Sequence, residues 1–251
     1  MKKLSLLFGL VLAFGVCHAQ EKLPTVVPDR PGFTFGAAVV QHNKITWDNG
    51  FVFESTPDGS HNITLNSTIL RYGLFENMEL RVGTDFVLLN NGLESPSLGV
   101  GPLAAGVKFK LNDGHGFIPT VGFLAEVKLP HVGTKEMLPS HLAPAMYAIF
   151  EHAIGERLWL CYNAGLEWDG EAAAPKTFLA LGFGGSITET LGAYVETYNY
   201  LHREDENQYM TEFGLTWLAS RRVQLDVECD LDFLHFGKYY ALGFGVSWLI
   251  N

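Results

Sequence analysis

Charged residues recur at every second position along several stretches of this sequence, where an extended chain would bring them to one face. Glu79, Arg81 and Asp85 do so, as do Lys108 and Lys110, Glu126 and Lys128, and Asp226 and Glu228. Asp48, Glu54, Arg71, Glu167, Glu196 and Glu212 have similar settings, giving ten carboxylates and five bases on one side of the chain. The bases fall between residues 71 and 128, while acids dominate from 167 to 228. Two facing walls of opposite sign would set a transverse field able to select permeants in a pore. The alternative is a salt-bridged filling of a narrow barrel.

Other chemistry finds less support. His42, His61, His115, His131, His141, His152, His202 and His235 are scattered, without the close spacing of a zinc site. Ser140 and His141 are neighbours in sequence but lack a third partner, and a serine beside a histidine is more often coincidence than a nucleophile and its base. Gly182-Phe183-Gly184-Gly185 closes a strand with no helix after it, so it is not a phosphate loop. No metal, cofactor or enzymatic activity is implied.

The elements that must carry the charges are strands. In Tyr240–Ile250, large apolar residues (Tyr240, Leu242, Phe244, Val246, Trp248, Ile250) alternate with Ala241, Gly243, Gly245 and Ser247. A period of two sends these sets to opposite faces. Elsewhere the apolar set opposes the charges: Leu80 and Val82 against Glu79 and Arg81, Val107 and Phe109 against Lys108 and Lys110, Leu225 and Val227 against Asp226 and Glu228. The pattern predicts twelve strands near 43–56, 61–72, 78–89, 98–111, 117–129, 141–150, 157–168, 177–185, 191–200, 208–217, 223–230 and 239–250. Connections of five or six residues alternate with longer ones, apart from the short Pro57–Ser60. The fold class expected is all-β: a closed antiparallel transmembrane barrel of about twelve strands, with short periplasmic turns and longer outer loops. Trp47, Tyr72, Trp217 and Trp248 would form one interfacial girdle, and Trp168, Tyr198, Tyr200, Tyr209 and Tyr239 the other.

Three segments follow. Lys2 and Lys3, the apolar run Leu4–Val16 and the small residue Ala19 read as a cleaved signal peptide over residues 1–19, too short to span a membrane as a helix. Without it, 15 Lys and Arg face 27 Asp and Glu, a net charge of −12 that argues against nucleic acid as a partner. Cys161 and Cys229 could pair in an oxidising compartment, though two separate packing thiols suit their positions better. Residues 20–42 form an N-terminal segment, and residues 43–251 the barrel. Prolines flank Asp29 and Arg30, while Phe33 and Phe35 need cover from water, which is unlike a linker. The segment is expected to fold back into or across the periplasmic mouth as a plug, with Arg30 near inward carboxylates such as Asp226 or Glu79.

Pro28-Asp29-Arg30-Pro31-Gly32-Phe33-Thr34-Phe35, the hairpin Leu70-Arg71-Tyr72-Gly73-Leu74 with Met78-Glu79-Leu80-Arg81, then Tyr162-Asn163-Ala164-Gly165, Val223-Gln224-Leu225-Asp226 and Gly245-Val246-Ser247-Trp248 carry a family resemblance. The chain resembles the outer-membrane barrels filed as "putative meta-pathway of phenol degradation" proteins over nearly all of residues 24–250. The resemblance implies a barrel in the outer membrane of a Gram-negative bacterium and passage of small solutes, hydrophobic or aromatic ones among them. Outer-membrane lipid and the barrel-assembly machinery would then be partners. The chain ends Trp248-Leu249-Ile250-Asn251, so Trp248 would stand in for the terminal aromatic of an assembly signal. Two other functions stay open: a closed structural or surface-binding barrel, and an outer-membrane lipid hydrolase, whose His-x-Ser arrangement on one strand face is missing here.

Overall fold

The computed structural model describes residues 25–57, 59–89, 97–202, 207–233 and 239–251. The expected signal peptide, residues 20–24 of the N-terminal segment and His235 lie outside these. The strands are β1 (Ile45–Ser55), β2 (His61–Phe75), β3 (Met78–Leu89), β4 (Ser97–Val100), β5 (Ala104–Lys110), β6 (Thr120–Lys128) and β7 (Ala143–Ile154). They continue as β8 (Leu158–Glu167), β9 (Lys176–Ser186), β10 (Leu191–Leu201), β11 (Gln208–Ser220), β12 (Val223–Asp232) and β13 (Tyr240–Leu249). Among the described residues all strand-to-strand pairings are antiparallel and run from stave to neighbouring stave, and β1 pairs with both β2 and β13. The sheet therefore closes on itself. Around the closed run of staves the ladder hydrogen bonds are made within the sheet, as a lipid environment requires.

β4 and β5 are two pieces of one stave, since both pair with β3, so twelve staves form the barrel. The single strand expected over 98–111 is broken at Gly101–Leu103. Pro102 has no N–H to give the ladder. The N–H of Leu103 turns instead to the carbonyl of Val132 at 2.9 Å, and Thr134 donates to the Val100 carbonyl at 2.7 Å, which ties the loop after β6 to the wall. At the other rim, β6 starts at Thr120, three residues later than expected. There Asn112 caps the connection, accepting from the Val121 N–H at 2.7 Å and donating to the Pro119 carbonyl at 3.2 Å. Several staves run past their expected ends, β7 to Ile154 and β11 to Ser220, so the β2–β3 and β11–β12 turns shrink to two residues.

The outer face is apolar. Leu80, Val82, Leu181, Phe183, Val195, Phe213, Leu215, Val227, Leu242 and Phe244 are all exposed there, as a lipid-facing belt requires. No described helix is long and apolar enough to cross a membrane. Trp47 pairs across strands with Trp248, and both, with Trp217, are exposed at the short-turn rim where a girdle is expected. The second girdle needs correction. Tyr198 is buried and Tyr200 and Tyr239 pack beside it, all three turned into the barrel. Alternation from inward Glu196 places 198 and 200 on the lumenal face.

Placing Arg at Phe213, mid-strand and 48% exposed on the outer face, is expected to destabilise the barrel by about 2–4 kcal/mol, against little change for Phe213→Leu. Equilibrium unfolding in lipid vesicles measures the difference.

Candidate functional site

The N-terminal segment occupies the lumen. It enters at the short-turn rim, where the Val26 N–H donates to the Arg221 carbonyl at 2.8 Å. It rises to an apex near Phe33 and Thr34, then descends past Ala37 and Val40 to the start of β1. Gly32 turns the chain near the apex with φ +98°, a conformation few side chains tolerate, and a Cβ there would also sit 2.9 Å from Glu196 Oε2. The segment reaches deeper than a cover across the mouth, because its backbone donors find partners along the ascent and descent. Phe33 and Thr34 N–H groups donate to Glu196, the Phe35 N–H to Asn163 Oδ1 at 2.7 Å, the Ala37 N–H to Glu151 at 2.8 Å, and the Val40 N–H to Glu79 at 2.8 Å. Inward carboxylates thus satisfy backbone that has no strand of its own to pair with.

Asp29 and Arg30 divide the lumenal charge between them. Asp29 lies 2.7 Å from Arg81, 2.9 Å from Lys108 and 3.8 Å from Arg71, on the basic wall of β2, β3 and β5. Burial opposes its charge, but Arg71, Lys108 and Arg81 outweigh that and hold its carboxyl well below the usual range. Arg30 faces the opposite way, 3.2 Å from Asp226 and 3.1 Å from Glu228 on β12, while Gln224 donates to its carbonyl at 3.1 Å. Two adjacent residues of opposite sign therefore lie along the field that the two walls create.

Of the two acids expected near Arg30, it meets Asp226. Glu79 is taken by Arg71, which grips it with Nε at 2.9 Å and Nη2 at 2.8 Å while Nη1 donates to the Val27 carbonyl. Asp48 joins this group 3.3 Å from Arg71, and Glu126 pairs with Arg81 at 2.9 Å. Glu167 pairs with Lys176 and accepts from the Tyr147 hydroxyl, and Glu212 accepts from Tyr194. Four expected lumen charges are not part of this set, among them Glu54, which lies farther toward the long-loop rim and accepts from the Tyr239 hydroxyl at 3.1 Å. Lys110 ends its strand and pairs with Asp113 in the adjoining turn at 2.8 Å, while Asp85 and Lys128 are exposed toward the long-loop end without an ion pair among the described residues.

Above the ion pairs the lumen turns aromatic. Phe35 packs against Tyr147, with centroids 4.7 Å apart, and against Phe178. Phe33 stacks on Tyr198 at 4.0 Å. Cys161 lies under the Phe35 carbonyl, while Cys229 is on another strand, and both thiols are free. Ser140 and His141 are engaged separately: the Ser140 N–H donates to Glu171, and the His141 ring lies 3.2 Å from the Gly170 carbonyl. They form no nucleophile–base pair.

Glu151, Asn163 and Asp230 join the site without standing among the expected residues. Glu151 falls in a turn if the strand before it ends at 150, yet alternation with Tyr147 and Ile149 carries it to the lumenal face. Small lumenal residues prove to be space for the segment. A Cβ at Gly50 or Gly245 would overlap the Arg30 guanidinium, and one at Gly243 would overlap Glu228. Gly50→Val and Gly245→Val are each expected to displace Arg30 while leaving a folded barrel, since valine suits a strand better than glycine. Faster proteolysis of the N-terminal segment, with unchanged heat-modifiable mobility on a detergent gel, reports that displacement.

Residues 28–250 match the model of a family described as "Putative MetA-pathway of phenol degradation". No curated protein matches the chain in sequence. Among solved structures, the COG4313 outer membrane channel from Pseudomonas putida F1 is similar with TM-score 0.65 and 12% identity, over 88% of this chain and 99% of that one. A KdgM porin solved in complex with disordered oligogalacturonate gives TM-score 0.58 at 10% identity, over 82% of this chain and 99% of the porin. The NanC porin gives 0.53 at 14%, over 80% and 98%. The fold is that of outer-membrane channels and porins.

Proposed function

We propose that this chain, which belongs to the family described as "Putative MetA-pathway of phenol degradation", passes small solutes passively across the outer membrane through a lumen that its own N-terminal segment narrows. The observation that carries this reading is the paired docking of Asp29 and Arg30 on opposite walls. A barrel stabilised by packing alone would be filled more cheaply by apolar side chains, because buried ion pairs repay little of their desolvation cost. Charged contacts instead hold a separate segment in one position that solvent and solute can contest. The fold shared with channels and porins supports the transport class, and the lumenal tyrosines and phenylalanines suit solutes with an aromatic part.

The test is electrical. The mature protein reconstituted in planar bilayers is expected to show small single-channel currents. Because carboxylates exceed bases around the lumen, reversal potentials under a salt gradient should show cation preference, weaker at high salt. Anion preference counts against the lumenal assignment. The filled lower lumen favours a second reading, a permanently closed barrel, and the absence of current at any voltage from both the mature chain and a chain lacking the segment establishes it.

A further inference from the structure

Beyond the docked segment, toward the long-loop rim, lies a cavity of about 370 Å³. Phe33 sits at its floor, Tyr198, Tyr200 and Tyr239 line its walls, and Glu54 and Asp232 bring carboxylates to it. Its volume falls within the range of small-molecule sites. Phe33 stacks one face on Tyr198 yet remains 41% exposed, an unusual state for a phenylalanine held inside a barrel. Tyr198 and Tyr200 meet edge to face, their centroids 6.1 Å apart, so the walls present both ring faces and hydroxyls. Tyr198 is fixed by a 2.8 Å bond to Asp230, and Tyr239 by a 3.1 Å bond to Glu54.

The cavity's chemistry favours a positive charge. Aromatic faces attract cations through their quadrupole, most strongly where water is displaced. The protein already uses this attraction here: the Lys176 ammonium lies 4.0 Å from the centre of the Tyr200 ring, its charge balanced by Glu167 at 3.0 Å. Carboxylates beside rings add a direct Coulombic preference and would repel an anionic aromatic acid.

We propose that this vestibule is a binding site for organic ammonium ions that carry an aromatic or other apolar group. The charge lies among Glu54, Asp232 and the tyrosine faces, and the apolar part rests on Phe33. The assignment deepens the transport reading by naming a solute class, and it makes the floor of the site a residue of the docked segment. An occupied vestibule therefore holds Phe33 in place and opposes withdrawal of the segment.

Binding can be measured without transport. Benzyltrimethylammonium, benzyl alcohol and benzoate are titrated by calorimetry into the detergent-solubilised mature barrel. The ammonium is expected to bind, the alcohol more weakly, and benzoate not at all. Glu54→Gln with Asp232→Asn should weaken the ammonium by about tenfold or more, as should Tyr200→Leu, if cation–ring and cation–carboxylate attraction both contribute. Heat-modifiable mobility checks that each variant is a folded barrel, and Phe33→Ala, outside the wall, tests the floor without touching a strand. Equal binding of the three probes, no binding of the ammonium, or affinity indifferent to the carboxylates and Tyr200 overturns the proposal. Bilayer recordings separate this from the channel reading: binding without current sinks transport and leaves the site, while current without ammonium binding does the reverse.

Discussion

Removal of residues 20–40 is expected to raise single-channel conductance severalfold over that of the chain that keeps them and to leave the barrel folded. The lower lumen is filled by this segment, whose buried Ala37 and Val40 lie against inward side chains of the wall. The strand ladders are made without it, since β1 starts at Ile45 and closes against β13 from Thr46 to Ser55. Its loss strands Glu196, Glu151 and Glu79 without backbone donors and exposes them to the lumen, where water can take over. The deleted form should also be more cation-selective, because the acids released from the segment (Glu79, Glu151, Glu196, Asp226 and Glu228) outnumber the bases released from Asp29 (Arg71, Arg81 and Lys108). Paired recordings at matched voltage check both points. Equal conductance with and without the segment would sink the idea that it restricts flow.

Asp29→Ala is expected to be the most damaging single change in the segment, costing about 3–5 kcal/mol. The carboxylate is 3% exposed and stands among Arg71, Arg81 and Lys108. Truncation leaves those cations buried around an empty place, and Glu79, Asp48 and Glu126 already have partners among them. Equilibrium unfolding in vesicles, together with proteolysis of the segment, distinguishes a loosened plug from a destabilised barrel. Asp29→Asn keeps the shape and should fall nearly as far, since it is charge that the three bases require. The pH dependence has a definite sign. A carboxyl held well below its ordinary value contributes stability that is present above the unfolded pKa and is lost as pH falls through the depressed folded value. The Asp29 latch should therefore persist through mildly acidic solution and weaken only below the usual carboxylate range.

Particular residues show how much of the barrel and its lumen is legible in the sequence. The barrel follows from alternation, because a period of two with one apolar face, sustained over twelve segments, fits a closed sheet and little else. Glu79, Arg81, Lys108, Glu196 and Asp226 point inward for the same reason, and they line the occupied lumen. Pro28, Pro31 and the two phenylalanines mark the N-terminal segment as something other than a linker. Its depth is not legible, because backbone N–H groups donating to carboxylates leave no trace in residue type. Glu151 hides at a strand end, where a boundary misplaced by a few residues turns a lumenal side chain into a loop one. Tyr198 and Tyr200 mislead because aromatics near strand ends commonly face lipid, and only the phase set by Glu196 turns them inward. The break at Gly101–Leu103 does have a signal in Pro102, whose missing N–H cannot serve a ladder on that side.

The partners of Asp29 and Arg30 also set an order of events. Asp29 draws on side chains from residue 71 to 108, and Arg30 on residues 226 and 228, nearly two hundred positions along the chain. Their shared niche exists only when β12 is in place beside β13 and the circle is complete. Contacts between such distant parts of a chain form late, after the intervening loops have been closed. Asp29 and Arg30 can therefore reach all their partners only after the staves between them have joined, and docking of the segment is expected to be a late step of assembly.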